Sequence, residues 1–221
     1  MVLSIFQYII LGIVQGITEW IPISSSGILV LIMSNLFNLT DVETLLSQIL
    51  LLHLGTFFAA LIYFRKEVAK LFRTLFNYKK SDEEDKETFN FILIVSLITG
   101  VIGILFLYLI DMGNFSLTGK VITFIVGFLL MITGLFQIKI KTRGLRKESN
   151  LNKNDEIILG IAQGFSSLPG ISRSGITISS LLLRKFDDTS ALRLSFLMSL
   201  PVIIFGNILL NYKEFTFSNP A

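Results

Sequence analysis

QGITEWIPISSSGI, residues 15–28, and QGFSSLPGISRSGI, residues 163–176, are two versions of one phrase set 148 positions apart. Aligning 9–28 with 157–176 without gaps gives 12 identities in 20, and IILGI opens both copies. Each copy starts apolar, is interrupted by proline, serine and glycine, and then turns apolar again. The flanking runs are shorter than the roughly 20 apolar residues a helix needs to cross a bilayer. Each copy therefore reads as a re-entrant helix–break–helix hairpin. The first has apolar runs over 2–14 and 28–37, and the second covers 157–183 with its break at 166–174. Unwound backbone at membrane depth survives only where protein or a water-filled cavity satisfies it.

The remaining chain supports a membrane setting. Of 221 residues, 52% are hydrophobic, 20 are Phe and only 16% are charged, against about 25% charged in soluble domains. Full-length apolar runs cover 46–64, 89–110, 121–138 and 191–210, the last with a kink expected at Pro201. The class is an all-α polytopic membrane protein, with 1–221 as one integral membrane domain. The absence of Cys excludes disulfides, thiolate nucleophiles and thiolate metal sites. The net charge of +3 sits in loops beside apolar runs, which points to a bilayer and not to nucleic acid. The N-terminus lacks the basic start and cleavage pattern of a removable signal and reads as part of the mature fold.

Two basic loops orient the chain. Loop 65–88 holds seven Lys/Arg and six Asp/Glu, and loop 139–156 holds six Lys/Arg. Two spans, joined by the turn at 112–120, separate these loops, so both lie on one side. The positive-inside rule makes that side cytoplasmic. The acidic stretch 81–87 reads as solvated loop. The first hairpin then belongs to the outer side and the second enters from the cytoplasm. This is an inverted-topology repeat with both breaks meeting near the midplane. The first repeat is about 1–138 and the second about 157–221. Three spans follow the first hairpin but one follows the second, so the second repeat is expected to be short at its C-terminal end.

The copies differ where chemistry is expected. Glu19 aligns with Ser167, and Ser25 with Arg173. One copy supplies an acid and the other a base, and ionisable groups inside a bilayer are functional candidates by default. Gln15 lies one turn before Glu19. Around them stand Ser24, Ser25, Ser26, Ser172, Ser174 and Thr177, with Gly27, Gly170 and Gly175 allowing close backbone approach. Hydroxyls, free amides at broken helix ends and a guanidinium fork are what a phosphate needs. A carboxylate beside them suits a divalent cation, Mg²⁺ or Ca²⁺, that also grips phosphate oxygens. The expectation is a metal-bridged anionic group near the membrane interior.

These motifs resemble those of the undecaprenyl-diphosphate phosphatase family associated with bacitracin resistance. Gln15, Glu19, Pro22, Ser24, Ser25 and Gly27 match its first segment, and Pro169, Gly170, Ser172, Arg173, Ser174 and Thr177 its second. The resemblance implies hydrolysis of undecaprenyl or another polyprenyl diphosphate to the monophosphate and inorganic phosphate, which recycles a lipid carrier for cell-envelope polymers. It implies a multi-pass protein of the cell membrane with its site open to the outer face. Glu19 would bind metal or substrate, Arg173 would bind the diphosphate, and Ser25 would be the nucleophile. Gln15, Ser24, Ser26, Ser172, Ser174 and Thr177 would complete the pocket.

The chain departs from the family at Ile28, where the pattern has a histidine. His53, the sole histidine, lies in a spanning run and reads as a packing or hydrogen-bonding residue. Two other functions fit the same pattern: a polyprenyl-phosphate transporter or flippase, and a non-hydrolytic binder of lipid diphosphate. A homo-oligomer stays open at this stage.

Overall fold

The computed structural model describes residues 3–112, 119–138 and 144–217. Among them are nine α-helices and no strand: α1 (Ile5–Thr18), α2 (Ser25–Asn35), α3 (Val42–Tyr63), α4 (Arg65–Phe76), α5 (Glu83–Met112), α6 (Gly119–Ile138), α7 (Lys153–Phe165), α8 (Arg173–Leu183) and α9 (Asp188–Phe217). Four of them, α3, α5, α6 and α9, are long and apolar enough to cross a membrane. The 22 residues of α3 extend about 33 Å at 1.5 Å each, the thickness of a bilayer's hydrocarbon core.

Local chemistry sets the helix ends. Ser4 and Gln7 form a reciprocal capping box at the start of α1. Asp41 accepts the Thr44 amide at 2.9 Å and opens α3. The breaks are made by Pro22 between α1 and α2, and by Pro169–Gly170 between α7 and α8. Gly170 has φ +108°, a backbone conformation that favours glycine.

The reading of 65–88 as loop is corrected. Residues 65–76 form α4, which carries Phe72, Leu75 and Phe76 exposed alongside Lys66, Lys70 and Arg73. The acidic run enters the first turn of α5 from Glu83 onward, because carboxylates are favoured at a helix N-terminus. Helix α9 continues through Pro201 and does not end there. Most of the turn read at 112–120 lies outside the described residues.

Two apolar clusters hold the bundle. One joins α1, α2, α3 and α6 through Leu11, Leu29, Met33, Ile49 and Val126. The other joins α3, α5, α7, α8 and α9 through Phe57, Phe91, Leu159, Leu181 and Leu197. Helices α5 and α7 approach closely because α7 carries glycines four apart. A Cβ at Gly160 would sit 2.7 Å from Ile98, and one at Gly164 the same distance from Ile102. Small residues at that spacing let membrane helices touch backbone to backbone. The aligned glycines of α1, Gly12 and Gly16, have no described atom within 4 Å of such a Cβ.

Charged groups gather at one end. Arg193 of α9 meets Glu148 at 3.1 Å and Glu67 of α4 at 3.9 Å. Asp155, fully buried, is held by Arg146 at 2.7 Å and by Arg184 at the end of α8. The end of α2 lies elsewhere: Asn35 donates to Thr123 near the start of α6 at 3.0 Å.

Candidate active site

The two breaks lie against each other. A Cβ on Gly27 would be 3.1 Å from the Gly170 Cα, so the duplicated segments touch almost backbone to backbone. Helix α1 carries its hydrogen bonding as far as Glu19, whose amide donates to the Gln15 carbonyl at 3.0 Å. This puts Gln15 and Glu19 on one face, as the i, i+4 spacing requires.

Ser24 and Ser172 cap α2 and α8 by accepting the amides of Gly27 at 3.1 Å and Gly175 at 2.9 Å. Ser25 and Arg173 therefore occupy the first position of their helices, where backbone N–H groups lack intrahelical partners and the helix dipole favours an anion. Each copy of the phrase thus builds a capped helix start and places on it the residue, Ser25 or Arg173, at which the serine–glycine segments differ.

The centre is the Glu19 carboxylate, 6% exposed. Its Oε1 receives the Arg173 guanidinium from the other repeat. Its Oε2 accepts the Ser25 hydroxyl at 2.6 Å and the Gln15 amide at 3.1 Å, and lies 3.3 Å from His53 Nε2. The other histidine nitrogen, Nδ1, is 2.7 Å from the Ile49 carbonyl. A carbonyl only accepts, so Nδ1 carries its hydrogen and Nε2 is the atom turned to Glu19. Arg173 also donates to the Ser195 carbonyl at 3.3 Å and lies over Phe196, which packs on Trp20 at 4.8 Å.

Glu19, Ser25, Arg173 and Gln15 are thus brought together. Ser24 and Ser172 cap their helices, each with a hydroxyl neighbour two residues on, Ser26 at 3.2 Å and Ser174 at 3.4 Å. Thr177 is fully buried, and its hydroxyl meets the Arg173 carbonyl and Ser195 Oγ, both at 2.7 Å. It stands behind Arg173, between α8 and α9.

Among the described residues no three His, Cys, Asp or Glu side chains gather as a metal site. Beside Glu19 one oxygen is left over, however: Gln15 Oε1, one turn away, is buried and without a hydrogen-bond partner, as is the aligned Gln163 Oε1 in the second copy. A hard cation held chiefly by phosphate oxygens needs only one or two protein oxygens, and Glu19 with Gln15 Oε1 fits that role.

The family described as Bacitracin resistance protein BacA matches residues 8–220. The chain belongs to the BacA family. It is 41% identical over 214 residues to an undecaprenyl-diphosphatase of Methanococcoides burtonii, a match covering 93% of this chain and 78% of that protein. It is likewise 41% identical over 215 residues to one of Halothermothrix orenii, covering 96% and 76%. A third relative of that name, from Haloarcula marismortui, is 36% identical over 202 residues, covering 91% and 74%. BacA membership and the four apolar helices make this a multi-pass membrane protein.

Sequence reasoning left three side chains out of the BacA site. His53, expected to pack or hydrogen-bond, does bond to the Ile49 carbonyl, and its Nε2 also faces Glu19. Thr133 and Gln137 of α6 bond to the second and first break. Polar residues four apart in an otherwise apolar helix were the available signal for the last two.

Proposed function

We propose that this protein hydrolyses undecaprenyl diphosphate to undecaprenyl phosphate and inorganic phosphate. The observation that carries this reading is the contact between Glu19 of one repeat and Arg173 of the other, beside the Ser25 hydroxyl. A guanidinium and two helix N-termini converge on one point, an arrangement suited to a diphosphate.

In this reading Arg173 and the first amides of α2 and α8 bind the terminal phosphate. Ser25 Oγ attacks its phosphorus as Glu19 Oε2 takes the hydroxyl hydrogen it already accepts in the resting site. The bond to the bridging oxygen breaks and undecaprenyl phosphate leaves. Water then attacks the phosphorus of the phosphoserine, the bond from phosphorus to Ser25 Oγ breaks, Oγ regains its proton from Glu19, and the water's oxygen and hydrogens leave with inorganic phosphate. Glu19 and Gln15 Oε1 would hold Mg²⁺ or Ca²⁺, which supplies neutralisation of diphosphate charge. Ser26 and Ser174 add further hydroxyls, and Gln15 braces Glu19.

The topology goes with it. Glu67, Glu148 and Arg193 draw the two basic segments to one end, which the positive-inside rule makes cytoplasmic. Helix α2 ends against the start of α6, and α8 ends against Asp155 and Arg146. These contacts support hairpins that enter from opposite faces; in this reading the membrane is the plasma membrane and the site opens outward.

The deciding experiment is inorganic phosphate release from a C55 prenyl diphosphate by detergent-purified protein, with Mg²⁺, Ca²⁺ or EDTA. Release that EDTA abolishes is expected. Lipid movement without phosphate release would replace hydrolysis with transport.

A further inference from the structure

Helix α6 bonds to both breaks with side chains one turn apart. Thr133 Oγ1 accepts the Ser172 amide at 3.2 Å, and its hydrogen is shared between the carbonyls of Leu129 at 3.2 Å and Gly170 at 3.4 Å. Gln137 Nε2 donates to the Pro22 carbonyl in the first break. Ser172 is the cap of the helix that presents Arg173, and Pro22 lies between Glu19 and Ser25.

The fit is close. A Cβ on Gly175 would lie 2.8 Å from Gln137 Nε2, and one on Gly170 would lie 2.9 Å from the Val126 carbonyl of α6. Thr133 is 4% exposed, so its hydroxyl has no solvent to turn to.

We propose that α6 is the spacer that holds the two breaks in catalytic register, with Thr133 and Gln137 as its positioning residues. The inference rests on the phosphatase reading of the site. Glu19 and Ser25 come from one hairpin and Arg173 from the other, and no covalent link shorter than the intervening chain fixes their separation. The Glu19–Arg173 pair cannot fix it alone, because the guanidinium must also engage phosphate during the reaction. A rigid helix tied to the backbone of both breaks supplies the constraint while the side chains exchange partners. Neither positioning residue touches substrate.

The test uses Thr133→Val, Gln137→Leu and the conservative Thr133→Ser in the full chain. A 1 Å misplacement of reacting groups costs about 100-fold. We expect kcat to fall about 10- to 100-fold in Thr133→Val and Gln137→Leu, with KM close to wild type. The melting temperature should stay near wild type in Gln137→Leu and drop modestly in Thr133→Val, which leaves the buried Ser172 amide unpaired. Thr133→Ser should restore the rate. A merely structural role would instead lower the melting temperature in step with activity.

A second readout is independent of turnover. The chain has no cysteine, so spin labels at Ile23→Cys and Ser167→Cys report the separation of the breaks. Their distance distribution should broaden in Gln137→Leu and Thr133→Val. Broadening in a protein that releases no phosphate would keep the spacer and remove the phosphatase reading. Unchanged kcat, or an unchanged distance distribution in both variants, would overturn the proposal.

Discussion

Glu19 and Arg173 depend on each other at the level of single residues. Each is mostly buried, and a buried charge stripped of its partner costs about 3–5 kcal/mol. Glu19→Gln and Arg173→Gln should each lower the melting temperature and cut phosphate release by about 100-fold or more. The double variant should recover much of the stability and none of the activity. Recovery of turnover in the double variant would remove both residues from the chemistry. Gly170→Ala is expected to destabilise by a different route. It places a side chain at φ +108° and within 2.8 Å of Leu129 Cβ, and a lowered melting temperature with aggregation on purification is the outcome to look for. Glu19, Arg173 and Ser25 were legible in the sequence because two of the differences between the copies exchange an ionisable residue for a serine. His53 was not, because only tertiary packing of α3 against α1 shows that its ring faces Glu19.

Helices α1 and α7 carry the same glycine pair but different neighbours. Gly160 and Gly164 meet Ile98 and Ile102, whereas Gly12 and Gly16 meet nothing described. Overpacking a filled contact costs about 1–3 kcal/mol, so Gly160→Leu should lower the melting temperature in detergent. Gly12→Leu, at the aligned position, should leave it nearly unchanged. Equal losses would mean that α1 has a partner this fold does not contain. The spans and hairpins were legible from apolar run lengths, with boundaries shifted by a few residues. Helix α4 was not, because its charge density masks a helical face. Its apolar residues at 72, 75 and 76 follow the i, i+3, i+4 spacing that marks one.

At the scale of the whole molecule, the gathered ends respond to pH. Burial pushes the Glu148 carboxyl above the usual range, against the pull of Arg193, and Glu84, Asp187 and Glu67 add like charge. Over the interval above the ordinary glutamate value, the folded protein holds a proton that the unfolded chain has lost. Stability contributed here is present at lower pH and falls as pH rises through the raised value. Melting temperatures over a pH series should show this slope, and Glu148→Gln should flatten it. A slope unchanged in that variant would assign it elsewhere. Asp187, whose carboxyl is held below the usual range by the Ser190 amide, works in the opposite sense and at lower pH.

The pairing of Glu19 with Arg173 across 154 residues also sets a schedule for biogenesis. A ribosome adds about 5–20 residues per second, so the carboxylate is made roughly 8–30 s before its guanidinium. Gln15, Ser25 and His53 are all synthesised within the first quarter of the chain, and all meet the same carboxylate oxygen. The nascent first hairpin and α3 therefore bring interim partners for the acid, and the arrival of α8 completes a site already half assembled.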